Sequence, residues 1–156
     1  MPPAHPEAEI RETHDRFLAT RAAIERLEEP WDALGDFFTE DAWYVDPAWG
    51  RVEGLPAIRK FLAESMLGLE DWQFPTQWTV VEGNRLVSCW MNRLPGQRDD
   101  GSFYEAPGIS TFEYAGGGKF ASSYDLLNMA HIHELIAESG WRPGPGAVAP
   151  PRKPIR

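Results

Sequence analysis

The chain has 156 residues, 42% of them hydrophobic, and a formal net charge of −9 at pH 7. This length predicts one domain that can bury a core, and no apolar run approaches the roughly 20 residues of a membrane helix. The last acidic residue is Glu138, so residues 1–141 carry a charge of about −13, and such an acidic body argues against nucleic-acid binding, which needs a positively charged surface. We therefore expect neither a nucleic acid nor a membrane as a partner.

The first part of the chain is predicted to hold three helices and one strand. One mostly apolar stripe recurs every three or four positions, at Ile10, His14, Phe17, Arg21 and Ile24, which predicts a helix that ends before Pro30. Because proline is tolerated in the first turn of a helix, a second helix is predicted to start at Pro30. The predicted elements are helices over 8–29, 30–38 and 55–66, with a strand over 42–46 before the last of them.

From Trp72 onwards the hydrophobic period changes to two residues, which is typical of strands. Short glycine-containing turns separate the segments, so consecutive strands are expected to pair antiparallel. The predicted elements are strands over 73–82, 85–94, 102–114 and 119–128, then a helix over 129–141. Helices followed by a run of antiparallel strands indicate an α+β fold, in which a strongly bent sheet with helices over its concave face would form a cone with an apolar interior.

The composition changes after Trp141. The segment 142–156 is rich in Pro and Gly and is predicted to be a disordered basic tail that follows a single domain over 1–141, although its positive charges could also steer a partner. Those charges are Arg142, Arg152, Lys153 and Arg156. Cys89 is the lone cysteine, so no internal disulfide can form, and together with an N-terminus unlike a signal peptide this predicts a cytoplasmic protein.

Three stretches carry a family resemblance: "WDALGDFFTEDAWYVDPAWGRVEGLPAIRKFL" at 31–62, the hairpin "FEYAGGGKF" at 112–120, and "YDLLN" at 124–128. Together with the order of elements they resemble the nuclear transport factor-like superfamily, in particular its SnoaL-like polyketide cyclase and ketosteroid isomerase branches. The resemblance implies a cone-shaped α+β barrel, with three helices over a bent, mostly antiparallel sheet and a short C-terminal helix. It also implies pairing of two copies through their sheets as a homodimer.

The resemblance gives Asp46 a role. In ketosteroid isomerases the aspartate of the "DP" pair at the end of the first strand points into the cone and acts as a general base. Strand alternation puts Tyr44 on the same face as Asp46, where its hydroxyl could stabilise an oxyanion. Burial in an apolar cavity would raise the pKa of Asp46 towards the working pH. The alternative is that Asp46 only caps the turn that follows the strand.

A second acidic candidate is Asp125. In SnoaL-like cyclases an acidic residue of the final strand is the acid/base group, and the hairpin register places Asp125 near that position with Leu127 on the same face. If the register slips, Asn128 takes its place. Two carboxylates in one dry site would have pKa values pushed apart, giving one acid and one base. Alternatively, Asp125 accepts hydrogen bonds from a helix terminus or a turn.

Alternation on two central strands supplies further candidates. Ser88, Trp90 and Asn92 share one face, where Asn92 could polarise a carbonyl group and Trp90 could stack on a flat ring. Ser110 and Phe112 share a face of the next strand. Ser110 stands where ketosteroid isomerases carry an acidic oxyanion donor.

Two polar residues interrupt the apolar stripe of the first helix. His14 could be a general acid or base, or a half-exposed histidine at the edge of the stripe. Arg21 could bind an acidic group of a ligand, or could form a salt bridge with Glu25 or Asp46. Trp49 is expected at the mouth of the cavity.

Other chemistry has little support in the sequence. His131 and His133 are two residues apart on a helix and so face different directions, and no other spacing suggests a metal site. No glycine-rich phosphate loop opens a helix, so neither metal nor cofactor is expected. The isomerase tyrosine of the first helix falls near Ala22, which argues against steroid isomerisation.

These observations predict a cofactor-independent acid/base enzyme. Its substrate would be a small hydrophobic, aromatic or polycyclic carbonyl or phenolic compound, and proton abstraction would lead to cyclisation, isomerisation, elimination or retro-aldol cleavage. The alternative is a module of the same fold that only binds a small ligand or only dimerises.

Overall fold

The computed structural model describes residues 3–151 and 154–156. In these residues the elements are, in order, α1 (Glu7–Glu25), a 3₁₀ helix (Trp31–Phe37), β1 (Phe38–Asp46), β2 (Gly50–Glu53), α2 (Leu55–Ser65), β3 (Thr76–Glu82), β4 (Arg85–Gln97), β5 (Phe103–Gly116), β6 (Lys119–Leu127) and α3 (Met129–Ser139). The fold is α+β with a curved, unclosed sheet, which confirms the predicted class.

The six strands of the described chain form one sheet in the order β2-β1-β6-β5-β4-β3. β1 runs parallel to β6, and the other neighbouring strands are antiparallel. The longest strands, β4 and β5, have 13 and 14 residues. Their pairing shifts register between Arg93 and Gln97, and such a bulge bends a strand. The concave side that results faces the helices.

Two strand predictions need correction. The strand predicted over 42–46 begins at Phe38. The segment Gly50–Glu53, where no strand was predicted, is a strand that pairs antiparallel with β1, with Tyr44 opposite Val52. A four-residue strand that starts with glycine carries too short a hydrophobic pattern to be predicted. Its pairing with β1 follows from the turn after Asp46.

The first helix ends at Glu25, four residues before the predicted end. Leu27 has a φ of 62°, in the left-handed region. The Glu28 backbone N–H donates to the Ala23 carbonyl at 2.9 Å. This closing geometry is common at helix C-termini, and it ends the helix before Pro30 is reached.

The core lies between the concave side of the sheet and the helices. Ile10 of α1, Ile58 of α2 and Phe120 of β6 are each fully buried there. A second cluster at the other end packs Ile132 of α3 against Leu94 of β4. Burial of such side chains stabilises the fold by roughly 1.5–3 kcal/mol each. Between the two clusters the packing leaves room for a cavity.

The side of the sheet away from the helices carries exposed apolar groups. Trp78 and Val80 of β3 are 50% and 53% exposed, and Leu126 of β6 is 52% exposed. The predicted homodimer would bury this side, and it stays a prediction. Cys89 is buried with a free thiol. Among the described residues, no helix combines the length and apolar character needed to cross a membrane.

The described part of the tail contains neither helix nor strand and lies against the body. The Gly144 N–H donates to the Gly68 carbonyl at 2.8 Å, and the Arg51 N–H donates to the Pro154 carbonyl at 3.0 Å. A Cβ on Gly68 would lie 2.8 Å from the Ala147 Cβ, so this contact requires glycine. Two of the predicted tail charges, Arg152 and Lys153, lie outside the described residues. The division into a domain over 1–141 and a disordered tail stays a prediction.

Candidate active site

A cavity of about 540 Å³ lies between the concave side of the sheet and the helices, a volume in the range of small-molecule sites. Its wall is mostly apolar and rich in rings. The aromatic side chains on it are Phe17, Trp31, Tyr44, Trp49, Phe61, Trp72, Phe74, Trp90, Phe112 and Trp141. The polar side chains include Arg21, Asp46, Asn92, Ser110 and Asp125. The cavity therefore suits a flat hydrophobic ligand that carries a few polar groups.

Asp125 is at the centre of a hydrogen-bond network on this wall. The Tyr44 hydroxyl donates to its Oδ2 at 2.6 Å, and the Ser110 hydroxyl donates to its Oδ1 at 2.6 Å. The Trp90 indole N–H donates to Ser110 Oγ at 2.9 Å. The strand order explains this convergence, because β6 lies between β1 and β5 and its register sets Asp125 opposite Ser110.

The environment of Asp125 changes its acidity. Burial raises the pKa of Asp125 to about 7, against the hydrogen bonds from Ser110 and Tyr44, which lower it. The nearby charge of Asp46 raises the pKa further, and the charge of Arg21 lowers it. A carboxyl group with this pKa can both take up and release a proton near neutral pH.

Tyr44 stays protonated in this site. Burial raises its pKa well above the ordinary value, and the charge of Asp125 and the hydrogen bond to it act in the same direction. Its hydroxyl therefore remains a donor over the whole range in which Asp125 titrates.

Asp46 also lines the cavity, and one of its oxygens caps a turn. Its Oδ1 accepts hydrogen bonds from the backbone N–H groups of Ala48 and Trp49, both at 2.8 Å. Burial raises the pKa of Asp46, and these two bonds oppose the rise. The structural role foreseen for Asp46 is therefore present. Its Oδ2 forms no hydrogen bond within the described chain.

Arg21 lines the cavity from α1. Its Nη2 donates to the Phe74 carbonyl at 2.7 Å and to Thr76 Oγ1 at 2.9 Å. The alternative salt bridge to Glu25 or Asp46 is not formed among the described residues, where no carboxylate oxygen lies within 4.0 Å of Arg21. Glu25 instead accepts the Phe74 backbone N–H at 3.0 Å.

Asn92 has an unusual environment on the wall. It is 4% exposed, and its Oδ1 has no hydrogen-bond partner in the described chain. The same holds for the indole nitrogen of Trp72, which is 5% exposed. Trp49 and Leu127 also line the cavity.

Two predicted site residues do not line the cavity. His14 is 2% exposed, with its ring stacked on Phe17 at 6.1 Å and edge-on to Phe112 at 5.7 Å. Burial lowers the pKa of His14 to about 4, helped by the charge of Arg21. The half-exposed position predicted for it is wrong, because α1 turns this residue into the core. Ser88 pairs with Ser110 and is buried, but it does not line the cavity.

The register alternative of the final strand is also settled by position. Asn128 lies at the N-terminus of α3, where its side chain accepts the His131 N–H at 3.3 Å. Asp125, three residues earlier, is the residue on the cavity wall.

Sequence reasoning missed Gly108, which lies opposite Trp90 in the β4–β5 pairing. A Cβ on Gly108 would lie 2.6–2.8 Å from atoms of the Trp90 ring, so the glycine allows the indole to lie across β5 with its N–H at Ser110. The available signal was a glycine inside a strand pattern, which often marks a close approach. The tail segment 147–150, which also lines the cavity, was missed as well.

The family described as "SnoaL-like domain" matches residues 7–123, a segment that ends two residues before Asp125. No curated protein matches the sequence.

Three solved structures illustrate the likeness. TerC, co-crystallised with polyporic acid, is 19% identical with a TM-score of 0.61 over 83% of this chain and 98% of its own. An LEH-like epoxide hydrolase from M. tuberculosis is 14% identical with a TM-score of 0.62 over 85% of this chain and 93% of its own. A steroid delta-isomerase from Pseudomonas aeruginosa is 20% identical with a TM-score of 0.58 over 86% and 90%. At these identities the likeness shows the fold alone.

Proposed function

The chain belongs to the SnoaL-like domain family, and from that premise we propose that it is an acid/base enzyme. It would move a proton next to a carbonyl or phenol group of a small hydrophobic, aromatic or polycyclic compound. The observation that carries the proposal is the carboxyl group of Asp125 on the cavity wall, held by the hydroxyls of Tyr44 and Ser110 at 2.6 Å each.

The proposed step begins with Asp125 ionised. Its carboxylate takes a proton from the carbon next to the substrate carbonyl, and the electron pair of the broken C–H bond moves to the carbonyl oxygen. Protonation of Asp125 weakens its hold on two donors, so the Tyr44 hydroxyl can turn to the new enolate oxygen. The positive charge of Arg21 further stabilises the enolate. Return of the proton to another atom completes an isomerisation, and attack by the enolate carbon gives a cyclisation.

The ring-rich wall supports a flat substrate. Trp90 and Phe112 present faces or edges of the kind that pack on aromatic and polycyclic compounds. Relatives of this fold include a steroid isomerase, an epoxide hydrolase and a protein crystallised with polyporic acid. The chain has Ala22 near the position where isomerases carry the oxyanion tyrosine. Tyr44 lines the cavity and could serve as the oxyanion donor instead.

Proton exchange at carbon tests the proposal without knowledge of the natural substrate. 2-Tetralone, a flat bicyclic ketone, is incubated with the protein in D₂O, and deuterium uptake next to the carbonyl is followed by NMR. We expect wild-type protein to accelerate uptake and Asp125→Asn to lower the rate about 100-fold, the usual scale of acid/base catalysis. Asp41→Asn, which changes an exposed aspartate on the same strand as Asp46, is the matched control.

An undiminished exchange rate in Asp125→Asn would end the proposal. Tight binding of 2-tetralone without exchange in the wild type would instead favour a module that binds a small ligand and performs no chemistry. Thermal unfolding of each variant confirms that the protein measured is folded.

A further inference from the structure

The guanidinium group of Arg21 is held in place from one side. Its Nη2 donates to the Phe74 carbonyl and Thr76 Oγ1. Its Nε and Nη1 form no hydrogen bond within the described residues, and the side chain lines the cavity. Arg21 therefore has fixed geometry and unused donors at a ligand-sized space.

The positive charge of Arg21 also lacks a direct counter-ion. Within the described chain no carboxylate oxygen lies within 4.0 Å of it. Glu25 is engaged by the Phe74 N–H, Asp46 by the turn that it caps, and Asp125 by two hydroxyls. A cation on an apolar wall without a paired anion costs free energy, and a bound anion removes that cost.

We propose that Arg21 binds an anionic oxygen group of the substrate, either a carboxylate or an ionised enol or phenol. This inference rests on the proposed function, since it names the class of compound for the same cavity. Guanidinium N–H groups donate charge-assisted hydrogen bonds to such oxygens, and the two N–H groups of Nη1 are free to do so. The anchored side chain needs little ordering on binding, which favours affinity.

The position of Arg21 also suits the chemistry at Asp125. Burial lowers the pKa of Arg21, and the charges of Glu25 and Asp125 raise it. Asp125 therefore lies within electrostatic range of Arg21, and Tyr44 is hydrogen-bonded to Asp125. A ligand that spans them would place its acidic oxygen at Arg21 and its reacting carbon at Asp125. Its aromatic body would then pack among the rings of the wall.

A matched pair of ligands isolates the charge. 2-Naphthoate and 2-naphthamide have the same shape, but only the first is an anion near neutral pH. We measure both affinities by isothermal titration calorimetry at low salt, near pH 6.5. Wild-type protein is expected to bind 2-naphthoate at least about tenfold more tightly, the scale of a charge-assisted hydrogen bond. Arg21→Met should lose this preference and keep its affinity for 2-naphthamide within about twofold.

Two further variants sharpen the experiment. Arg11→Met removes a surface arginine from the same helix and should leave the preference intact. Arg21→Lys keeps the positive charge without the planar guanidinium group and should keep part of the preference for 2-naphthoate. Thermal unfolding shows whether Arg21→Met is folded, and Arg21→Lys supplies the readout if it is not.

Equal affinities in the wild type, a preference that persists in Arg21→Met, or binding of neither compound at millimolar concentration would overturn the inference. The same titration in Asp125→Asn distinguishes anion binding by Arg21 from the proposed catalysis. This variant should still prefer 2-naphthoate although it no longer exchanges protons, so a failure of anion recognition and a failure of catalysis give different results.

Discussion

The hydroxyl of Tyr44 donates a 2.6 Å hydrogen bond to Oδ2 of Asp125, across two parallel neighbouring strands and 81 residues of sequence. The contact links the first strand in the chain, β1, to the last, β6, on the wall of the cavity. It makes the proton affinity of Asp125 depend on a residue whose own proton is not released near neutral pH. The acidity of one carboxyl group is thus set by several side chains that can be changed one at a time.

The pH dependence of 2-tetralone exchange should report the ionisation of Asp125. Burial raises the pKa of this residue to about 7, and only the ionised form can act as the base. We therefore expect kcat/KM to rise about tenfold per pH unit below neutrality and to level off above it. The profile of Asp125→Asn should lack this inflection. A wild-type profile that is flat between about pH 5 and 8 would contradict the assignment of Asp125 as the base.

Replacement of the neighbours of Asp125 should move this inflection in opposite directions. Tyr44→Phe removes a hydrogen bond that lowers the pKa of Asp125, so the inflection should move to higher pH. Asp46→Asn removes a negative charge that raises the same pKa, so the inflection should move to lower pH. Full profiles of both variants provide the measurement. Shifts of the same sign would mean that the inflection belongs to another group.

Much of the fold follows from local patterns in the sequence. The change of hydrophobic period at Trp72 and the short glycine turns predicted β3 to β6 with the correct partners, because a tight turn determines which strands are neighbours. Alternation then placed Trp90, Ser110 and Asp125 on one face. The strand β2 was not predicted because four residues carry too short a hydrophobic pattern.

Long-range contacts could not be derived in the same way. Nothing local in Tyr44 or Asp125 indicates that their strands are neighbours, since that pairing depends on how the whole sheet closes around the helices. His14 likewise has a polar side chain at a stripe position, and only the packing of α1 shows that it lies against Phe17 and Phe112. The tail has no periodic pattern at all, so its contact with Gly68 has no counterpart in the sequence.

Gly108→Ala should disturb catalysis through Trp90. The new Cβ would lie 2.6–2.8 Å from the indole ring, which must move and withdraw its N–H from Ser110. Overpacking of this kind lowers the free energy of unfolding by about 1–3 kcal/mol, and a displaced site can lower turnover by about 100-fold. Near-UV circular dichroism and the exchange rate are the measurements. Trp90→Phe, which removes the same N–H without a new Cβ at Gly108, is the comparison variant and should also lower turnover. Unchanged spectra and rates in Gly108→Ala would contradict the role of Gly108.

Asp125 should make the folded protein less stable as pH rises. Its folded-state pKa is raised from 3.8 to about 7, so its contribution to stability is greatest below the unfolded value and is lost as pH rises through the folded value. Asp125→Asn cannot ionise and should gain stability relative to wild type by about 3 kcal/mol between pH 5 and 8. Urea unfolding at both pH values measures the difference. Asp41→Asn should show no such change, and a difference for Asp125→Asn that is equal at both pH values would contradict the prediction.

Removal of the tail should open the cavity and weaken binding. Pro143 and residues 147–150 line the cavity, and the Gly144 N–H donates a hydrogen bond to the Gly68 carbonyl. If a ligand loses roughly 50 Å² of apolar contact at about 25 cal/mol per Å², its affinity falls about tenfold. We therefore expect a chain that ends at Arg142 to bind 2-naphthamide about tenfold more weakly, by calorimetry, with little change in the urea midpoint. A full-length variant with glycine and serine at 143–150 should weaken binding equally, since it keeps the length but not the apolar surface. Unchanged affinity in both variants would show that the tail does not cover the cavity in solution.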